Sequence, residues 1–155
     1  MIQQIKTRKW DGNERTVFYD SEHQTYIKQF NYFSQEQWDR ITQLVPKAYP
    51  NMLLAQEHTD TSMRFVYREI QGKQPDATHK YYDTHSRKRV QRNDQLEAFF
   101  VADLNRTWPI AHGDWKYGNV IQSGQQFHMI DFDRISTKYK TKEEAIRDIE
   151  KCFYV

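Results

Sequence analysis

The chain has 155 residues, and its 23 basic side chains nearly balance its 21 acidic ones, so the formal net charge at pH 7 is +2. This balance excludes a strongly basic protein that binds nucleic acid over its whole surface, and an aromatic content of 15% predicts a folded chain. Because Cys152 is the only cysteine, no signal peptide is recognisable and the longest apolar run, residues 98–102, is too short to span a membrane, we expect a cytoplasmic protein of one domain.

The glycines exclude two common ways of holding a nucleotide. Loops of the GxGxxG or GxxxxGK[ST] kind need closely spaced glycines, because only a residue without a Cβ lets backbone amides close around phosphates. This chain has five glycines and no such cluster: Gly12, Gly72, Gly113, Gly118 and Gly124. A Walker or Rossmann phosphate loop is therefore excluded.

The first thirty residues predict a β-meander. Strands are expected over residues 2–9, 15–20 and 25–30, with turns at 11–13 and 21–23. A helix should follow, since Ser34 and Gln37 form a capping box, and its apolar positions should end at Pro46. Those positions are Trp38, Ile41, Leu44 and Val45.

Two further strands, over residues 52–56 and 63–70, precede a polar stretch at 72–92 that is the best candidate for a boundary. Tyr81 and Tyr82 lie ahead of a basic run at 85–89 in this stretch, and Arg92 adds a fourth basic charge to the three of the run. The run is compatible with an anionic acceptor or nucleic acid, but we favour a solvated segment, because four charges without a regular face make a poor nucleic-acid surface. Nucleic acid is therefore not an expected partner.

The second half predicts two helices around a hairpin. Asn93 should cap a helix that ends before Trp108, and strands over 120–122 and 127–132 should form the hairpin. Thr141 then begins a last helix. The apolar positions of the two helices are Leu96, Phe99, Phe100 and Leu104, and Ala145, Ile149, Cys152 and Phe153.

The most informative residues read HGDWKYGN at 112–119 and IDFD at 130–133. Phosphoryl transfer needs a carboxylate to orient a hydroxyl, hard oxygen ligands for Mg²⁺ and positive charge near the phosphates. Asp114, Lys116, Asn119 and Asp131 supply these chemical types at neighbouring loop ends. The alternative is that they are ordinary turn residues, as Asn and Asp often are.

These two motifs resemble those of the protein-kinase-like superfamily, most closely its small-molecule branch of aminoglycoside phosphotransferases, choline kinases and lipopolysaccharide-core kinases. The resemblance implies an α+β, compact two-lobed fold in a shortened form. Its N-terminal lobe, residues 1–72, would hold a five-stranded antiparallel sheet and one helix. Its reduced C-terminal lobe, residues 73–155, would be mainly helical and carry a catalytic hairpin.

The same resemblance assigns roles in the C-terminal half and implies ATP and Mg²⁺ as cofactors. Asp114 would be the catalytic base, Asn119 and Asp131 the metal ligands, and His112 a structural member of the loop. Lys116 would lie near the transferred phosphate. The implied reaction is transfer of the γ-phosphoryl group of ATP to a hydroxyl, with a small molecule favoured over a protein as acceptor.

In the N-terminal half the resemblance makes Lys28 the partner of the α and β phosphates. Glu36 is the first choice for the carboxylate that pairs with Lys28, and Asp39 is the alternative. Glu69 and Ile70 would lie in the hinge whose backbone meets adenine. The competing interpretations are a solvated lysine on an edge strand and a favourable charge at a helix N-terminus.

Three departures from the family pattern keep a second hypothesis open. The turn that replaces the glycine-rich loop has one glycine, Gly12; Asp133 stands where protein kinases have glycine; and few residues follow it. The one-glycine turn and the short C-terminal lobe, together with the close spacing of Lys28 and Glu36, are also compatible with a pseudokinase, a nucleotide-binding or scaffolding module that acts on a protein partner.

Overall fold

The computed structural model of the chain describes residues 2–10 and 13–154. The predicted turn residues Asp11 and Gly12 lie outside the described residues. The chain divides into an N-terminal unit, Met1–Glu69, and a C-terminal unit, Ile70–Val155. This division falls three residues before the boundary suggested by composition.

The N-terminal unit contains the predicted five-stranded antiparallel sheet. Its strands lie in the order β1-β2-β3-β5-β4, so β3 is central and β1 and β4 form the edges. The strands are β1 Ile2–Trp10, β2 Asn13–Asp20, β3 Thr25–Phe30, β4 Leu53–His58 and β5 Met63–Arg68. The meander is confirmed, because β1 pairs with β2 and β2 with β3, both antiparallel.

Helix α1, Gln35–Ala48, begins as predicted, with Ser34 Oγ accepting a hydrogen bond from the Gln37 backbone N–H at 3.2 Å. Its apolar positions were predicted to end at Pro46, but the helix continues to Ala48, which is also buried. A proline in the last turn removes one backbone donor, but the Tyr49 N–H still closes on the Val45 carbonyl at 2.8 Å. Burial of Ala48 and Tyr49 favours this extra turn.

The C-terminal unit contains two hairpins and two α-helices. Strands β6 and β7 form the first hairpin, and β8 and β9 form the second, which follows a short 3₁₀ helix at Tyr117–Asn119. The elements are β6 His79–Asp83, β7 Lys88–Arg92, α2 Asp94–Thr107, β8 Val120–Ser123, β9 Gln126–Met129 and α3 Lys142–Lys151. Within the described residues, no helix combines the length and the apolar character that crossing a membrane requires.

The β6–β7 hairpin was not predicted, and residues 72–92 are therefore not the irregular segment that their polarity suggested. The hairpin has one deeply buried apolar side chain, Val90, which is 1% exposed. Its backbone is anchored by a bridge between Val90 and Tyr154 and by the Gln91 N–H, which donates to the Phe153 carbonyl at 2.8 Å. The hairpin is thus supported by residues at the C-terminal end of the unit. The sequence of residues 79–92 alone, with one buried apolar side chain, does not predict the hairpin.

The core of the C-terminal unit combines aliphatic and aromatic side chains, several of them from α2. Asn93 caps α2 as predicted, with its side-chain oxygen accepting from the Leu96 N–H at 3.0 Å. Leu96, Phe100 and Leu104 are buried, whereas Phe99 is half-buried and packs on Phe127. Further buried members of this core are Val120, Met129, Phe132, Ile135, Ala145, Ile149 and Phe153.

Candidate active site

His112 joins the two loops that the sequence motifs predicted to be functional. Its Nε2 lies 2.9 Å from the Ile130 carbonyl oxygen, and its Nδ1 lies 3.2 Å from the Asp114 backbone nitrogen. Since a carbonyl can only accept and an N–H can only donate, the imidazole carries its proton on Nε2. Burial lowers the pKa of His112, which keeps the ring neutral and suited to both hydrogen bonds.

Asn119 holds Asp114 from the other side of the first loop. Its Nδ2 donates to the backbone carbonyl and to the Oδ2 of Asp114, each at 2.9 Å. The Asn119 carbonyl in turn accepts from the Ile130 N–H at 2.9 Å. Because the amide nitrogen is committed to Asp114, the side-chain oxygen of Asn119 is the atom it can offer to a cation.

Lys116 supplies positive charge beside Asp114. Its Nζ lies 3.7 Å from the Asp114 Oδ2, and 51% of the lysine side chain is exposed, against 23% for the aspartate. Exposed ion pairs contribute little to stability because solvent screens them and the long side chain must be ordered. This lysine is therefore better explained as a movable cation near the Asp114 carboxylate than as a structural contact.

Asp131 begins the second loop in an unusual backbone conformation. Its φ is +61°, in the left-handed region that costs a residue with a Cβ about 1 kcal/mol. The flanking residues hold it there, because the Ile130 carbonyl accepts from His112 and the buried Phe132 ring packs edge-on against the imidazole at 5.6 Å. This turn also explains why β9 ends at Met129 and not at Phe132 as predicted.

Gly113 allows the first loop to approach the segment that follows Asp133. Its φ is +86°, and a Cβ at this position would lie 2.6 Å from the carbonyl oxygen of Arg134. Two backbone hydrogen bonds between Ala111 and Ser136, at 2.9 and 3.0 Å, continue the same contact. Glycine is therefore required here by backbone angle and by space.

Tyr117 connects the loop at residues 112–119 to the β6–β7 hairpin. The sequence did not predict this connection. Its hydroxyl donates to the Gln91 carbonyl at 2.7 Å, and its ring packs edge-on against Phe153. Burial raises the pKa of Tyr117 to about 12. Nothing in the local pattern marks this tyrosine, because its partner lies 26 residues away.

Lys28 is buried in the N-terminal unit. It is 7% exposed on the central strand β3, and its Nζ lies 6.0 Å from the centroid of the Tyr67 ring. The competing interpretation, a solvated lysine on an edge strand, is therefore wrong. Its role toward phosphates stays a prediction.

Glu36 and Asp39, the two candidates for pairing with Lys28, each accept a hydrogen bond from a residue of their own helix, and the pairing with Lys28 stays a prediction. The Glu36 carboxylate is 75% exposed and accepts from Arg40 Nε at 2.8 Å, one turn along α1. Asp39 accepts from Gln35 Nε2 at 2.8 Å. Both carboxylates thus behave as surface helix residues.

Glu69 and Ile70 lie at the division between the units. The Glu69 carboxylate accepts from the Tyr19 hydroxyl at 2.8 Å, and its backbone N–H donates to the Gln24 carbonyl at 3.0 Å. This segment is therefore tied to the β2–β3 hairpin. Its predicted contact with adenine stays untested.

Within the described part of the chain, one group of three side chains has ligand atoms close enough for a metal ion: Asp20, Glu22 and His23. The Asp20 carboxylate accepts from the backbone N–H groups of Glu22 and His23 and pairs with His23 Nδ1 at 2.7 Å. These hydrogen bonds account for the arrangement as the stabilised turn between β2 and β3.

Comparison with known proteins identifies the class of fold to which the chain is similar. No protein-family model and no curated protein matches the chain. Among solved structures, 142 chains match. One is PK-1, a kinase of the Cydia pomonella granulovirus, which is 16% identical with a TM-score of 0.52.

The likeness to PK-1 covers 87% of this chain and 54% of the viral chain, so this protein spans about half the length of that kinase. At this level of identity the likeness shows a kinase-like fold. It does not support the small-molecule branch to which the motifs pointed.

Proposed function

We propose that this protein is an ATP-dependent phosphotransferase that transfers the γ-phosphoryl group to a hydroxyl, with a small molecule as the preferred acceptor. The observation that carries the proposal is the double hydrogen bond from Asn119 to Asp114, in a loop that His112 ties to Ile130. A kinase-like fold supports the same assignment.

Asp114 acts as the base in this proposal. The acceptor oxygen forms a new bond to the γ-phosphorus, the bond from that phosphorus to the bridging oxygen breaks, and ADP leaves with the electron pair. The acceptor proton passes to the Asp114 carboxylate. Asn119 fixes the direction of that carboxylate, and Lys116 neutralises charge that develops on the phosphoryl oxygens.

The residues present fit a magnesium ion. The donor set consists of the Asn119 side-chain oxygen and the Asp131 carboxylate, which are the hard oxygen ligands that Mg²⁺ prefers. The commitment of Asn119 Nδ2 to Asp114 leaves the oxygen as the ligand atom. When bound, Mg²⁺ would neutralise phosphate charge; the chain's part is to present these two oxygens.

Lys28 remains the candidate for the nucleotide phosphates, because a buried ammonium group on a rigid central strand is well placed to bind an anion. Glu69 and Ile70 remain the candidates for adenine. Glu36 is left out of the proposal, since its carboxylate pairs with Arg40.

The test is transfer of radiolabelled phosphate from ATP to a panel of sugars, aminoalcohols and protein substrates. Asp114→Asn should abolish transfer without lowering the melting temperature. Asp60→Asn, which changes an exposed aspartate in the β4–β5 loop, should leave transfer unchanged. Equal activity in wild type and Asp114→Asn would refute the assigned role.

A second experiment separates the enzyme from the pseudokinase. The turn with a single glycine, Gly12, and the close sequence spacing of Lys28 and Glu36 favour the pseudokinase. A nucleotide at about 100-fold its dissociation constant adds about 2.7 kcal/mol to stability, which thermal unfolding detects. Stabilisation by Mg-ATP that Lys28→Met removes, without turnover on any acceptor, would identify a nucleotide-binding module. No stabilisation would contradict both.

A further inference from the structure

The β6–β7 hairpin has two faces of different character. Residues directly opposite in the ladder share a face, and successive residues alternate between faces. Val90 lies on the inner face and is 1% exposed, whereas Tyr81, opposite it on the same face, is 52% exposed. The outer face therefore carries Tyr82 opposite Arg89, and Tyr82 is 57% exposed.

Positive charge lies beside the exposed Tyr82 ring. Lys80 and Arg89 are exposed on its own face, and Arg87 is exposed in the turn. Lys88, opposite Asp83, belongs to the inner face and lies over the Tyr154 ring. The acidic side chain of the hairpin, Asp83, lies on the inner face. There its carboxylate accepts from Ser86 Oγ at 2.6 Å and from the His85 N–H at 3.1 Å.

The hairpin is held firmly by the rest of its unit. The Gln91 N–H donates to the Phe153 carbonyl at 2.8 Å, and the Gln91 carbonyl accepts from the Tyr117 hydroxyl at 2.7 Å. Arg92, at the end of β7, pairs with Glu97 and lies over the Phe153 ring. The outer face is thus a preformed surface, which lowers the entropic cost of binding.

We propose that the outer face of the β6–β7 hairpin, with Tyr82 at its centre, binds single-stranded nucleic acid. An exposed ring on a rigid strand can stack on a base, and neighbouring lysine and arginine side chains can contact the backbone phosphates. The sequence argument against nucleic acid was the lack of a regular face, and the hairpin supplies one. An acidic peptide would use the cations but has no comparable use for the ring.

The proposal is independent of the phosphotransferase assignment and is tested by fluorescence anisotropy on the full chain. The probe is a labelled oligonucleotide of about 12 thymidines, titrated at about 50 and 200 mM salt. Tyr82→Ala should weaken binding about tenfold by removing one stacking contact, and Tyr82→Phe should bind like wild type. Arg89→Ala should weaken binding and reduce the salt slope by about 0.7.

Lys140→Ala is the matched control, because it removes an exposed lysine of the same unit that is not part of the hairpin. It should leave binding unchanged, and all variants should retain the wild-type melting temperature. Three results would overturn the proposal: no binding of the oligonucleotide, equal loss in Tyr82→Ala and Lys140→Ala, or displacement by polyglutamate with no effect of Tyr82→Ala. The last result would identify the face as a surface for acidic peptides.

Discussion

Asn119 Nδ2 lies 2.9 Å from both the backbone carbonyl oxygen and the carboxylate Oδ2 of Asp114. One buried side-chain amide therefore positions both the backbone and the carboxylate of the candidate base. Asn119 is 4% exposed. Its own backbone pairs with Ile130, at the start of the second loop. The amide therefore links the base to the segment that presents Asp131.

Asn119→Ala should lower the free energy of unfolding by about 1–3 kcal/mol, because it leaves the Asp114 carbonyl in a half-buried site without its donor. Urea denaturation measures this loss. Asn105→Ala, which changes an exposed residue of α2, is the control and should cost less than about 0.5 kcal/mol. Equal values for the two variants would contradict the positioning role of Asn119.

Gly113→Ala should destabilise the protein by more than about 2 kcal/mol, because the new Cβ would meet the Arg134 carbonyl oxygen at 2.6 Å in addition to backbone strain. Gly124→Ala is a matched control. Gly124 also has a positive φ, +61°, but has no atom within 4 Å of the added Cβ. It should lose only about 1 kcal/mol, and the difference in melting temperature between the variants measures the close contact.

The contribution of His112 to stability should fall as the pH falls below the ordinary histidine pKa. Burial lowers the pKa of His112, although its bond to Ile130 and the charges of Asp131, Asp114 and Asp103 oppose this. Below pH 6.5 the unfolded chain takes up a proton that the folded chain does not. The contribution of His112 is thus present above pH 6.5 and lost as the pH falls toward its folded pKa.

The measurement is the free energy of unfolding between pH 7.5 and 5.5, the interval of about one unit on either side of the ordinary histidine pKa. His112→Asn should flatten the dependence by at most about 1.4 kcal/mol per pH unit, the limit for one proton. His85→Asn, at an exposed position in the β6–β7 turn, is the matched control for the removal of a histidine. An unchanged slope in His112→Asn would show that the buried imidazole is not responsible.

Tyr117→Phe should remove one buried hydrogen bond, to the Gln91 carbonyl, and cost about 1 kcal/mol. Burial raises the pKa of Tyr117 from 10.0 to about 12. The stabilisation linked to its neutral hydroxyl is therefore complete below pH 10 and is lost as the pH rises through about 12. Alkaline titration of phenolate absorbance should lose a late component in Tyr117→Phe.

Tyr82→Phe is the control for this variant, because the Tyr82 ring is 57% exposed on the outer face of the hairpin. It should leave the free energy of unfolding unchanged. If Tyr117→Phe is equally neutral, the contact between the loop and the hairpin does not contribute to stability.

Local signals in the sequence predicted the elements whose formation depends on near neighbours. The caps at Ser34, Asn93 and Thr141 each accept a backbone hydrogen bond three residues along, and the helices begin where these residues stand. The β2–β3 hairpin also follows from a short polar turn between alternating strands. Such features are visible in a window of a few residues.

The spacing of HGDWKYGN and IDFD predicted which side chains belong to the candidate site but not how they meet. The pairing of His112 with Ile130 spans 18 residues, and that of Tyr117 with Gln91 spans 26. The sequence interpretation that placed Lys28 on an edge strand does not take into account that β5 pairs with β3, which makes β3 the central strand. Motif spacing therefore identifies the chemical groups, whereas their protonation and direction depend on contacts made in three dimensions.

By itself the sequence determined a folded, nearly neutral chain with one five-stranded sheet, capped helices and two motifs of the phosphotransfer type. Tertiary structure alone decided that Glu36 pairs with Arg40, that α1 passes Pro46 and that residues 79–92 form a hairpin with an exposed Tyr82. The physical reason is burial. Periodicity and capping act along the chain, but whether a charge is paired or a polar strand is anchored depends on residues brought to it from elsewhere.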